Sequence, residues 1–111
     1  MKKTIIINGE TLGKGSDELG EKLMGSFLRK LCILENKPDT IIFYNSGVKL
    51  LAKGSSVLDS METLFKSGVD IMACGTCISY YKLNDKLAVG RVSNMQEITS
   101  IILNSENVIT T

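Results

Sequence analysis

Hydrophobic and polar positions change period several times along this chain, and the changes mark out alternating strands and helices. Thr4 to Asn8 is β-branched and apolar and stops at Asn8-Gly9, which predicts a first strand. A glycine-rich loop follows, Gly9 to Ser16. Ser16 is then placed to cap a helix whose first turn holds Asp17 and Glu18, suited to the positive end of a helix dipole. Leu19, Leu23, Phe27, Leu31 and Leu34 recur at intervals of four and three, with Met24 and Leu28 widening the stripe, so this helix is expected to face a core. Gly20 and Gly25 lower its propensity and predict close packing against a sheet.

After the break at Asn36 to Asp39, which holds the single proline, Thr40 to Tyr44 reads as a strand covered on both faces. It ends in Asn45-Ser46-Gly47. Val48 to Lys53 fits neither period, and Gly54-Ser55-Ser56 resets the chain. Ser56 with Asp59 predicts a capping box. The helix behind it shows Val57, Leu58, Met61, Leu64 and Phe65 on one face and closes at Gly68. Val69, Ile71 and Ala73 predict a third strand that ends at Cys74, with a short helix over Thr76 to Leu83. Leu87 to Val92 is the fourth expected strand, weakened by Gly90. Ser93 with Gln96 is another capping box, Met95, Ile98, Ile101 and Ile102 make a helix face, and Val108 to Thr110 is a short last strand. Strands alternating with helices predict an α/β fold with a mostly parallel sheet.

Length and composition narrow the function classes. At 111 residues, 43% hydrophobic and 23% charged, the chain reads as one domain over positions 1–111 with no need of staples. Its 13 basic and 12 acidic residues leave a net charge of +1, which gives no electrostatic case for nucleic acid or a membrane surface. The isoleucines after Lys2-Lys3 are too few for a signal segment of about 7–15 apolar residues, and nothing approaches the ~20 of a membrane span. The expected compartment is therefore the cytoplasm, where thiols stay reduced.

Two features limit the chemistry. There is no histidine, so no Ser-His or Cys-His dyad comes from this chain. Three cysteines are one short of a Cys₄ zinc site, which leaves a metal only at a site shared between subunits. The glycine-rich loop also fails as a phosphate motif. Asn8 stands where a P-loop needs its first glycine, and Gly15 follows Lys14 where the hydroxyl residue belongs. For Gly13 and Gly15 the remaining readings are loose anion binding at a helix N-terminus and a flexible loop at the sheet edge.

Cys74-Gly75-Thr76-Cys77 is the sharpest signal. It lies at a strand end before a helix, where ligands bind in parallel sheets. A free thiol is only about 3% thiolate at pH 7, and a helix N-terminus raises that fraction. Two sulfurs at this spacing can close a disulfide or pass sulfur between them; the other reading is a pair of core cysteines. Asn45, Ser46, Gly47, Gly75, Thr76 and Asn94 are candidate ligand-binding positions, with a turn or a helix cap as the alternative for the asparagines. Cys32, among apolar residues, reads as an inert thiol. Tyr80 and Tyr81 beside Lys82 can stack on a ligand, pack, or meet another subunit.

Three stretches carry a family resemblance: Ile42 to Leu50, Gly68 to Cys77 and Val89 to Met95. Together they resemble the DsrE/DsrF-like family, and within it the C-terminal domain of YedF, a sulfurtransferase-like protein linked to selenium metabolism. Leu12 to Gly20 fits that family's first loop and helix, so the resemblance spans essentially the whole chain. It implies a three-layer α/β/α sandwich with a five-stranded sheet, oligomers, and a persulfide-carrying cysteine that falls on Cys74. Cys77 would then resolve the persulfide, with no cofactor required. Sulfur donor and acceptor proteins are the implied partners. A TusA-like domain, which usually precedes the YedF domain, is missing here, so the chain is expected to be an excised domain or a stand-alone relative. The competing reading is a non-catalytic ligand-binding or assembly module with redox or structural cysteines. Ile78, Tyr80 and Tyr81 are the expected apolar contacts of an oligomer.

Overall fold

The computed structural model describes residues 2–111, and its centre is a five-stranded sheet. The strands are β1 (Lys3–Ile7), β2 (Thr40–Phe43), β3 (Asp70–Cys74), β4 (Arg91–Ser93) and β5 (Asn107–Thr110), in the order β4-β3-β2-β1-β5. Every pairing is parallel, so the sheet is wholly rather than mostly so. Helices α1 (Asp17–Ile33), α2 (Leu58–Lys66), α3 (Gly75–Tyr80) and α4 (Met95–Asn104) connect the strands.

Alternation along the strands builds a core on each face, because successive side chains point to opposite sides. Ile5, Ile7, Ile41, Phe43, Ile71 and Ala73 face the side where α1 and α2 supply Met24, Leu28, Leu31, Met61 and Leu64. Ile6, Ile42, Met72 and Cys74 face the other side, where α4 supplies Ile98. Helices on both faces of the sheet give the three layers expected.

Ser16 caps α1 as predicted, its hydroxyl accepting from Leu19 N–H at 3.2 Å. The buried face of α1 is nevertheless turned from the predicted stripe. Gly20, Met24, Gly25, Leu28 and Leu31 are buried, whereas Leu19, Leu23 and Leu34 are exposed. Gly20 sets the rotation: a β-carbon there would lie 2.6 Å from the Thr11 β-carbon. The close packing that glycine permits is thus against the loop after β1, not against the sheet. Gly25 meets only the tip of Arg29.

The undecided segment after β2 is a 3₁₀ helix, Asn45–Leu51, a tight helix with Val48 and Leu51 fully buried. The Ser56/Asp59 capping box does not form. Val57 holds the N-cap position of α2, and the serine that bonds its N–H is Ser55. Phe65, expected on the core face of α2, is 54% exposed, while Gly68 closes the helix at φ +100° as predicted. The fourth strand is shorter than predicted. Gly90 takes φ +89°, which breaks the extended run. Leu87 instead forms an isolated antiparallel bridge with Ala52, where Ala88 N–H donates to the Leu51 carbonyl and Lys53 N–H to the Lys86 carbonyl.

Candidate functional site

The site is built where β3 gives way to α3. Ile71, Met72 and Ala73 are almost fully buried and fix the strand, and Cys74 at its end is 2% exposed. Cys74 and Ser93 are register partners at the ends of β3 and β4. Gly75 permits that approach, since a β-carbon there would stand 2.9 Å from the Ser93 carbonyl oxygen. From these two strand ends the connections diverge. Ile78 of α3 enters the α1–α2 core, and Ile98 of α4 the opposite one. A crevice outside the strand ends at such a divergence is where open α/β sheets bind ligands.

Cys77 lies within the first turn of α3, half-buried and packed against both cores. All three cysteines are free thiols. The Cys77 sulfur accepts the backbone N–H of Asn45 at 3.0 Å, a donor that comes from the segment after β2 and not from α3. Burial pushes the Cys77 thiol up, the Asn45 N–H pulls it down, and Cys74 close by raises it further by hydrogen bonding and charge. Cys77 opens on a hollow of about 480 Å³ whose walls are Tyr44, Asn45, Thr76, Tyr80, Tyr81 and Met95. Tyr80 and Tyr81 pack edge to face at 5.1 Å. Tyr81 donates its hydroxyl to Asn45 Oδ1 at 2.9 Å, and Lys49 Nζ sits 4.5 Å from the Tyr81 ring centre.

The structure therefore brings Cys74, Cys77, Asn45, Thr76 and Gly75 together. Ser46 and Gly47 do not line the hollow. A β-carbon on Gly47 would overlap the Ile7 carbonyl, so that glycine serves the close approach of the tight helix to β1. Asn94 takes the capping alternative, its Oδ1 accepting from Glu97 N–H at 2.8 Å to start α4, where the Ser93/Gln96 box was expected. Gly13 (φ +86°) and Gly15 (φ +132°) shape the loop after β1, and neither lines the Cys77 hollow. Ile78, expected to supply an oligomer contact, is 2% exposed in the core, whereas Tyr80 is 78% exposed. Met95, read as a core residue of α4, stands on the rim of the hollow at 54%. Cys32 is half-buried and its thiol donates to the Ser60 carbonyl at 3.5 Å.

Two features of this region lie outside the residues expected from the sequence. Tyr44, read only as the end of a strand, faces the hollow because β2 and β3 end side by side. Arg91 joins three elements, with Nε and Nη2 each 3.0 Å from the Asp70 carboxylate and Nη1 2.8 Å from Glu97 Oε1. Ser93 also donates to that Glu97 oxygen. Among the described residues no cluster of three His, Cys, Asp or Glu is placed to hold a metal ion.

The DsrE/DsrF-like family model matches the chain over residues 1–111. The chain belongs to that family. Solved structures agree on the fold. The family chain shares 17% identity with the ychN protein of E. coli, at a TM-score of 0.69 with all of both chains covered. It shares 23% with MTH1491 of Methanobacterium thermoautotrophicum, a protein of unknown function, at a TM-score of 0.72 over 99% of this chain and 98% of that one. BT1422 of Bacteroides thetaiotaomicron, also of unknown function, gives 18% identity and 0.66 over 99% and 95%. None of the curated proteins matches the chain.

Proposed function

We propose that this DsrE-like domain relays sulfur, with Cys77 as the thiol that receives the sulfur atom and Cys74 as its internal partner. One observation carries the reading: two free thiols sit together at the diverging strand ends, and Cys77, not Cys74, opens on the hollow. Family membership supports it, since DsrE-like proteins work in sulfur relay. The roles are the reverse of those implied by the resemblance, because an incoming sulfur must reach the accepting thiol and Cys74 is 2% exposed.

The chemistry needs no cofactor. The Cys77 thiolate attacks the outer sulfur of a donor persulfide, the donor S–S bond breaks, and the donor leaves as a thiolate. Cys77 then carries the persulfide, which an acceptor thiolate removes in the same way. Attack by Cys74 on the Cys77 sulfur would instead expel hydrosulfide and close a disulfide, which a reducing thiol reopens. The resemblance to YedF extends the cargo to selenium. Donor and acceptor proteins, a TusA-like domain and a second copy of this chain are the partners of this reading. Tyr80, Val92 and Met95, each more than half exposed, form the apolar surface they would meet. The proposed setting is a reducing cytoplasm, where thiols stay free. Among the described residues no helix is long and apolar enough to cross a membrane.

Incubation with a cysteine desulfurase and cysteine, followed by intact mass, tests the proposal. A gain of one sulfur atom, reversed by a reducing thiol, is the expected result. An unchanged mass with a small ligand retained in the hollow would replace it with the binding-module reading.

A further inference from the structure

We propose that Asn45 is the positioning residue for the Cys77 sulfur, its backbone N–H aimed by a left-handed turn and its side chain clamped by Tyr81. The inference deepens the sulfur-relay reading, which it takes as its ground.

Three observations support it independently of one another. Asn45 has φ +51°, a conformation that side-chain-bearing residues rarely take and that asparagine tolerates best. Strain of this kind at a pocket wall persists only where neighbours hold it in place. Asn45 N–H donates to Cys77 Sγ at 3.0 Å, the distance of a formed bond. Tyr81 O–H donates to Asn45 Oδ1 at 2.9 Å, and Tyr81 is itself held by Lys49 over its ring at 4.5 Å. The contacts close a ring. Lys49 belongs to the same tight helix as Asn45, and Tyr81 follows the helix that carries Cys77.

An N–H aimed at sulfur favours the anion, whether thiolate or persulfide, over the neutral thiol. A backbone donor costs no side-chain reorganisation at the moment of attack. The other titratable groups around Cys77 are Cys74 from β3, Tyr44 from the end of β2, Tyr80 and Tyr81 from α3 and its end, and Lys49 beyond the Tyr81 ring. From α4 the hollow receives Met95, which does not titrate. Among the described residues no carboxylate lines the hollow, so Asn45 is the donor that sets the anion against burial and Cys74.

The test is the pH profile of Cys77 alkylation by iodoacetamide, read on its own peptide by mass spectrometry. Tyr81→Phe removes the clamp and keeps the ring. Asn45→Gly keeps the left-handed backbone and removes the clamped side chain. Each is expected to raise the midpoint by about half a unit, roughly a threefold loss of thiolate at neutral pH. The double variant should add nothing, because both remove one contact. An unchanged midpoint in both single variants overturns the proposal, and so does a double variant that shifts by the sum of the two. The profile is read without sulfur donor or acceptor, so a failed relay reading and a failed clamp give different results.

Discussion

Cys74 and Ser93 stand opposite each other at the ends of β3 and β4, and the chain leaves them toward opposite faces of the sheet. The side chain of Cys74 joins the α4-side core, while Cys77, three residues on, turns back to the hollow. Reactivity toward a small reagent should follow that geometry. In an iodoacetamide time course at neutral pH, Cys77 is expected to label first, Cys32 later and Cys74 last. Labelling of Cys32 or Cys74 ahead of Cys77 would remove Cys77 as the entry point.

Gly47 holds the tight helix against β1. A side chain at this position meets the Ile7 carbonyl, and Gly9 N at 3.2 Å, both backbone atoms that cannot swing aside. Gly47→Ala should therefore cost about 1–3 kcal/mol, as overpacking does, read as a lowered urea midpoint. Gly9→Ala is the contrast: its added carbon meets only the Ser46 hydroxyl at 3.7 Å, and the midpoint should barely move. Equal loss in both would mean that the approach of residue 47 to Ile7 is not what makes it a glycine.

Arg91 and Ser93 hold the Glu97 carboxyl well below the usual carboxylate range, down to about 2. A depressed value in the folded state adds stability that is present above the unfolded carboxylate pKa and is lost as pH falls toward 2. Glu97→Gln should therefore lower the urea midpoint at pH 6, and the gap between variant and parent should close between about pH 4.5 and 2. A gap that stays constant over that window would show that the ion pair contributes nothing in solution. Because these groups are partly exposed, added salt should narrow the gap at pH 6.

Much of this was legible in the residues, for physical reasons. Buried parallel strands announce themselves as apolar runs, so β1, β2 and β3 were found at nearly their observed bounds, and Cys74 fell at its strand end. The docked face of α1 differs from its leucine stripe because leucine spacing alone does not say which face docks. The deciding feature, Gly20 against Thr11, is a contact between a helix and a loop. Asn45 could be named as a pocket residue from its place after β2, but its bond to Cys77 joins positions 32 apart and has no local signature. The same holds for Arg91, whose partners lie 21 residues before it and 6 after.

The relation between the two thiols is tested most directly by sulfur loading of single variants. After incubation with a cysteine desulfurase and cysteine, Cys77→Ser should gain no sulfur, because the thiol that faces the hollow is gone. Cys74→Ser should gain one sulfur atom by intact mass and hold it longer than the parent, because no internal thiol remains to expel it. Loading that survives in Cys77→Ser and disappears in Cys74→Ser would contradict the account and return the carrier role to the buried cysteine.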